Sequence, residues 1–401
     1  MSDTTGASPA GEVRGVVCFA GQDWWTHSAA HSDFQVSRAM AVSTPTLVVN
    51  SIGLRRPAII SGGEVDRRRI ARKLRSLVRV IRRPDPSRRL WVMSPIFLPF
   101  YGAGMSWINA ALVTVQVRVA CLALRIRPDL VLLTLPTLIK AAVWLRPRAL
   151  CYYRSDDHAA AGDVDHVRVA VAEDEAMARA DVTLYSSAPL LDAERDRCRG
   201  KGVLFDHGVD LELFTLPDDV PAEPSAVFVG QFEEFSIDMD CLLEAARRSP
   251  ERRFVLCGPA MIDLSSLRAL PNVTVLDPVP HRDVPALLAA ATVGLNPKPM
   301  NQWTEAVNPI KIKEYLAVGL AVASTVMPVL DDLGPDVVQA PDPAAFGDAV
   351  AAAFAAFSPG TELEARRRRR ATVATHGWPA RADHLRSLFS SIVAQRTGTH
   401  R

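Results

Sequence analysis

The chain has 401 residues, 48% hydrophobic and 22% charged, which is too long for one core and too apolar for a disordered or low-complexity protein, so two domains are expected. Its 46 basic and 44 acidic residues leave a net charge of +2, which gives no general reason to expect nucleic acid as a partner. Six cysteines (18, 121, 151, 198, 241 and 257) lie scattered, without a CxxC pair or histidines at ligand spacing, so they signal neither zinc nor a disulfide framework and fit a reducing cytoplasm.

Residues 1–12 are small and polar and read as a flexible N-terminus. The apolar run Val16 to Ala20 is too short for a signal-peptide core. Short runs rich in Val and Leu follow one another: 13–20, 46–50, 90–94, 129–135, 149–153 and 181–187. They are continuous and not alternating, as in parallel strands covered by helices on both faces. Residues 13–205 are thus expected to form a Rossmann-like, doubly wound α/β domain.

Within that domain, residues 67–83 place Ile70, Leu74, Leu77, Val78 and Ile81 at helical spacing among Arg and Lys. Two readings stand: a basic helix that docks on an anionic membrane surface, or an outer helix with a solvated Arg face. The apolar stretches 107–124 and 130–145 are interrupted by Asn109, Gln116 and Arg118, or by Pro136 and Lys140, and are read as buried elements, not membrane spans.

Residues 206–224, with Pro217, Pro221 and Pro224 among acids, have linker composition. A second strand series (226–230, 253–258, 272–277, 292–297, 320–325) predicts a second Rossmann-like domain over 225–375. Arg366 to Arg370 reads as a solvated run. Residues 376–395, with Leu385, Leu388, Phe389 and Ile392 at helical spacing, predict a last helix able to cross back over both domains.

The most informative segment is NPIKIKEYLAVGLAVAST, 308–325. A proline opens a helix that carries Lys311 and Glu314 and ends near Gly319, before a buried strand. This segment resembles the donor-site helix of GT-B glycosyltransferases, in particular the bacterial family 4-like (group 1) members. DHGVDLELF (206–214) resembles their hinge signature, with His207 in place of Asn. VGQF (229–232), LCGPA (256–260), LDPVPHRDVPALLAAA (276–291) and His376-Gly377-Trp378 follow in the family's order.

The resemblance implies a GT-B fold, two Rossmann-like domains facing across a cleft, with a nucleotide sugar as substrate and no cofactor. The donor would be held by Gly230, Gln231, Gly258, Pro259, Pro280, His281, Asn308, Pro309, Ile310, Lys311 and Glu314. A helix N-terminus and the Lys311 cation suit a diphosphate, and Glu314, the ribose ligand by resemblance, can accept two hydroxyl bonds.

The sequence departs from the family eight residues before Glu314, where Ala306 stands in place of a first Glu and Glu305 lies one position away. An inverting enzyme would need a base on the acceptor side. Asp156 and Asp157, after the strand ending CYYR, are the candidates; capping a helix is the other role open to Asp156. Catalysis is therefore assigned to Asp156, Asp157 and Lys311. In the loop after the first strand, Gly21, Trp24, Trp25, His27 and His31 are assigned to the acceptor, with Asp33 a further polar candidate; the two Trp either stack on a sugar or belong to the core.

Two Asp-x-Asp triplets (163–165, 238–240) match a metal motif. With 44 acids in 401 residues, about 44 × 44 / 401 ≈ 4.8 acid-x-acid pairs arise by chance, and no metal is expected. The expected activity is glycosyl transfer from a UDP- or GDP-type sugar to a lipid-linked or cell-surface glycan precursor, in the cytoplasm or on the inner face of the membrane. A natural-product acceptor, and a non-catalytic subunit that supports a partner transferase, are the alternatives.

Overall fold

The computed structural model describes residues 12–25, 31–51, 80–98, 103–155 and 166–398. By contacts the chain divides into two units. One holds the chain up to Ser186 with Leu190–Asp206 and Pro379 onward; the other holds Ser187–Pro189 and His207–Trp378.

The first unit is built on eight strands: β1 (Val16–Phe19), β2 (Thr46–Val49), β3 (Ile81–Arg82), β4 (Leu90–Met93), β5 (Leu130–Leu133), β6 (Ala149–Arg154), β7 (Val182–Tyr185) and β8 (Gly202–Leu204). They lie in the order β3-β4-β2-β1-β5-β6-β7-β8. All neighbours are parallel except β3 on β4. β1, β2, β5 and β7 are buried along their whole length, as uninterrupted Val/Leu runs require. Chain order reverses at β1, between β2 and β5, and such a switch point opens a crevice at the carboxyl ends of the strands.

Three expectations change here. Ile81–Arg82, the end of the expected basic helix, is an edge strand paired antiparallel with β4; Arg83 precedes Pro84, which disfavours a helical conformation at that point. Residues 67–79 lie outside the described residues. Second, the 107–124 stretch is not a buried element: in the helix Ala103–Leu124, Ala110, Val113, Val117 and Cys121 enter the core while Trp107, Val115, Val119 and Leu122 are exposed. The 130–145 stretch is largely interior, through β5 and the helix Ile139–Trp144.

The second unit has six parallel strands, β9 (Ser225–Val229), β10 (Arg253–Cys257), β11 (Val273–Leu276), β12 (Val293–Asn296), β13 (Ala321–Thr325) and β14 (Val337–Ala340), in the order β11-β10-β9-β12-β13-β14. Its switch point lies at β9. The helix Ile310–Val318 connects β12 to β13 and stops at Gly319, whose φ of 88° is left-handed; a β-carbon there would lie 2.5 Å from that of Arg366.

The third change concerns Arg366 to Arg370, read as solvated. Arg366 is fully buried in the helix Pro359–Thr372; it pairs with Glu362 at 3.1 Å and donates to the Ala291 carbonyl. Arg369 donates to Gly319 O at 3.0 Å, and Arg370 to the carbonyls of Leu211, Phe214 and Ala317. These guanidiniums satisfy backbone acceptors around the Ile310–Val318 helix, including its C-terminal end. Arg367 and Arg368 do face solvent.

Candidate functional site

Tyr315 sets the position of the Ile310–Val318 helix. Its hydroxyl accepts the Val229 amide at 3.1 Å and donates to Leu295 O at 3.4 Å, so one buried side chain pins the helix to the ends of β9 and β12. Gly294 makes room, since a β-carbon there would stand 2.3 Å from the Tyr315 ring. On the same helix Lys313 is buried and donates to His207 O at 2.7 Å.

So held, the helix directs Lys311 over the end of β9. Its Nζ lies 4.5 Å from the centre of the Phe228 ring, and a β-carbon on Gly230 would come within 2.5 Å of it. Burial, and then repulsion from Lys298, lower the Lys311 pKa well below the ordinary lysine value, with Glu314 acting in the opposite direction. Two lysines that repel in a partly buried place are suited to an anion of charge two or more. Pro309, the N-cap residue, makes no side-chain cap, which leaves the first helical amides available to the same anion. Buried Asn308 precedes it, and Ile310 is partly exposed.

The loops after β9 and β10 close on one another. Gly258, at φ 151°, approaches so near that a β-carbon would fall 1.8 Å from Gly230 O, and Phe232 N donates to Pro259 O at 2.9 Å. Gln231 is exposed and its amide meets Glu233. After β11, exposed Pro280 leads to His281, whose Nε2 is 2.9 Å from Glu314 Oε1. The Phe214 ring meets the imidazole in a T-shaped contact, ring centres 5.4 Å apart. The structure thus gathers the expected donor residues on the carboxyl side of one sheet.

In the first unit, Gly21, Trp24, Trp25 and His31 flank the switch point at β1. Trp24 is half-buried, 4.8 Å from the Phe34 ring and under the Arg38 guanidinium at 4.8 Å; its amide donates to Asn50 Oδ1 at 3.0 Å. Trp25 is also half-buried, and His31 is the N-cap residue of the helix Ser32–Met40. Asp33 is buried and takes the amides of Gly21 and Phe34, each at 2.8 Å, so it braces the loop instead of facing an acceptor. Burial pushes its carboxyl up to about 6. His27, Asp156, Asp157 and the 163–165 triplet lie outside the described residues; the strand before them ends at Arg154, buried between Glu173 and Glu194. The 238–240 triplet starts a helix, Asp238 capping Asp240 N and Cys241 N. Among the described residues no group of three His, Cys, Asp or Glu is placed to hold a metal.

Lys298, Tyr315 and Phe228 went unmarked in the sequence. One signal was present: three of the six lysines, in a chain with 46 − 6 = 40 arginines, fall at 298, 311 and 313.

Residues 223–355 match the family described as Glycosyl transferases group 1. Over 165 residues the chain is 28% identical to the putative teichuronic acid biosynthesis glycosyltransferase TuaH of Bacillus subtilis, covering 37% of this chain and 41% of that protein. Sucrose-phosphate synthase of Thermosynechococcus elongatus superposes with a TM-score of 0.69 at 15% identity, over 95% of this chain and 100% of that one. Anabaena HepE in complex with UDP and glucose gives 0.56 at 14%, over 96% and 99%. The catalytic domain of Arabidopsis thaliana Starch Synthase IV, bound to ADP and acarbose, gives 0.62 at 11%, over 96% and 100%. The chain has the GT-B fold of these solved structures, and residues 223–355 of its second unit are similar to glycosyltransferase group 1.

Proposed function

We propose that the chain is a glycosyltransferase whose second unit binds a nucleoside-diphosphate sugar and whose first unit binds the acceptor. The observation that carries this is the Lys311 ammonium, partly buried beside Lys298 at the glycine loop of β9, where a diphosphate would neutralise both charges. Glu314, steadied by His281, would accept the ribose hydroxyls. In the reaction the acceptor oxygen bonds to the anomeric carbon as the bond from that carbon to the β-phosphate oxygen breaks. The acceptor proton passes to a base, for which Asp156 or Asp157 is assigned, and Lys311 with the helix amides stabilises the departing diphosphate.

A UDP- or GDP-type donor and a lipid-linked or cell-surface glycan precursor are the proposed substrates. The likeness to TuaH and the UDP and glucose bound by HepE support that choice. Incubating the purified chain with UDP- and GDP-sugars should release nucleoside diphosphate slowly even without acceptor, and Lys311→Met should abolish it. Ala306 favours a second reading, a non-catalytic subunit; donor binding without any release, with acceptors supplied, would select it.

A further inference from the structure

One face of the Ala103–Leu124 helix is apolar and open to solvent along most of its length. Ile108 (51% exposed), Val115 (59%), Val119 (59%) and Leu122 (79%) follow one another at steps of seven, four and three residues, which sets them in one stripe, with Trp107 (55%) beside its N-terminal end. The opposite face, Ala110, Val113, Val117, Ala120 and Cys121, is part of the core. No acid occurs in the helix. Its length and composition would suit a membrane span, but a helix with one side in a protein core lies along a surface and does not cross it.

Charge indicates what kind of surface. Residues 80–155 contain eleven basic and two acidic side chains; Arg154 is buried between Glu173 and Glu194 and Lys140 is paired with Glu175, which leaves nine basic side chains beside the two acids. Both acids are engaged, Asp85 with Arg88 and Asp129 with Arg14. Where the stripe ends, a cavity of about 490 Å³ beside Leu122 is lined by Arg14, Arg118, Arg127, Arg146 and Arg148 with one acid, Asp129, which pairs with Arg14, so the apolar stripe runs into a hollow of net positive charge. Arg146 sits there at φ 54°, a conformation that favours glycine and costs a non-glycine residue about 1 kcal/mol.

We propose that this face docks on an anionic phospholipid bilayer, with the stripe at the level of the acyl-chain boundary and a lipid phosphate in the arginine hollow. Trp107, beside the N-terminal end of the stripe, suits the headgroup level. A second copy of the chain would bring the same positive rim against itself, which opposes the alternative of a dimer.

The test is co-sedimentation of the full chain with vesicles of phosphatidylglycerol and phosphatidylcholine, and with vesicles of phosphatidylcholine alone. The chain should bind the anionic vesicles and not the neutral ones, and free glycerol phosphate should not compete. Val115→Asp with Val119→Asp, on an exposed face, should cut partitioning on the order of tenfold. Arg127→Gln with Arg146→Gly, the latter suited to its φ, should cut it about thirtyfold. Both variants should keep the wild-type melting temperature and nucleotide affinity, which separates this proposal from the donor site. Wild-type binding by either folded variant overturns it. So does a wild-type dimer that the Val variant breaks, measured by sedimentation velocity.

Discussion

The ammonium of Lys311 stands 2.5 Å from the point where a β-carbon on residue 230 would lie. Glycine at 230 and lysine at 311 are therefore one feature: the loop leaves room for a compact cation, and a bulkier guanidinium would not fit. Gly230→Ala should fold, because the atom it displaces is the end of a flexible side chain, yet weaken nucleotide binding roughly tenfold or more, the scale of one charge-assisted hydrogen bond. Calorimetry beside a melting curve checks both halves.

The lowered Lys311 pKa also gives donor binding a pH dependence. A diphosphate binds the protonated amine, so above the lowered value affinity should fall as pH rises, and binding should take up a proton. Repeating the titration in buffers of different ionisation enthalpy detects that proton; Lys311→Met should remove it.

Asp33 makes stability depend on pH in a definite direction. Its folded carboxyl titrates at about 6 against an ordinary 3.8, so between those values the folded chain holds more protons than the unfolded one. This contribution is complete below about pH 4 and is lost as pH rises toward 6, up to about 3 kcal/mol. Asp33→Asn keeps an acceptor for an amide and should flatten that slope in denaturant unfolding.

Arg366 is buried with Glu362 and holds the Ala291 carbonyl. Arg366→Met should destabilise the second unit by about 3 kcal/mol, as breaking a buried pair does, whereas Arg367→Met should change stability by less than about 0.5 kcal/mol. Urea unfolding of the two variants compares them.

Elements whose cause is local were legible in the sequence. The Ile310–Val318 helix carries its own start and stop in Pro309 and Gly319, and unbroken Val/Leu runs identify the buried strands. Features fixed by distant partners were not. Arg366 to Arg370 looks like a solvated charge run because the carbonyls it serves, at Ala291, Gly319 and Phe214, come from other segments. Lys298 acquires its meaning only when β12 is placed beside Lys311. The 107–124 run states how apolar the helix is but not which side has a neighbour, so its open stripe emerges only from the packing. The edge strands β3 and β8, of two and three residues, carry too few residues for a pattern.

The central claim is that Lys311 and Glu314 belong to one nucleotide-sugar site. Thermal stability of the full chain with UDP- and GDP-sugars, for wild type, Lys311→Met and Glu314→Ala, tests it most directly, since a bound ligand adds RT ln(1 + [L]/Kd) to stability. The account predicts a rise in melting temperature with one nucleotide class, lost in both variants. A rise that persists undiminished in both folded variants would contradict it.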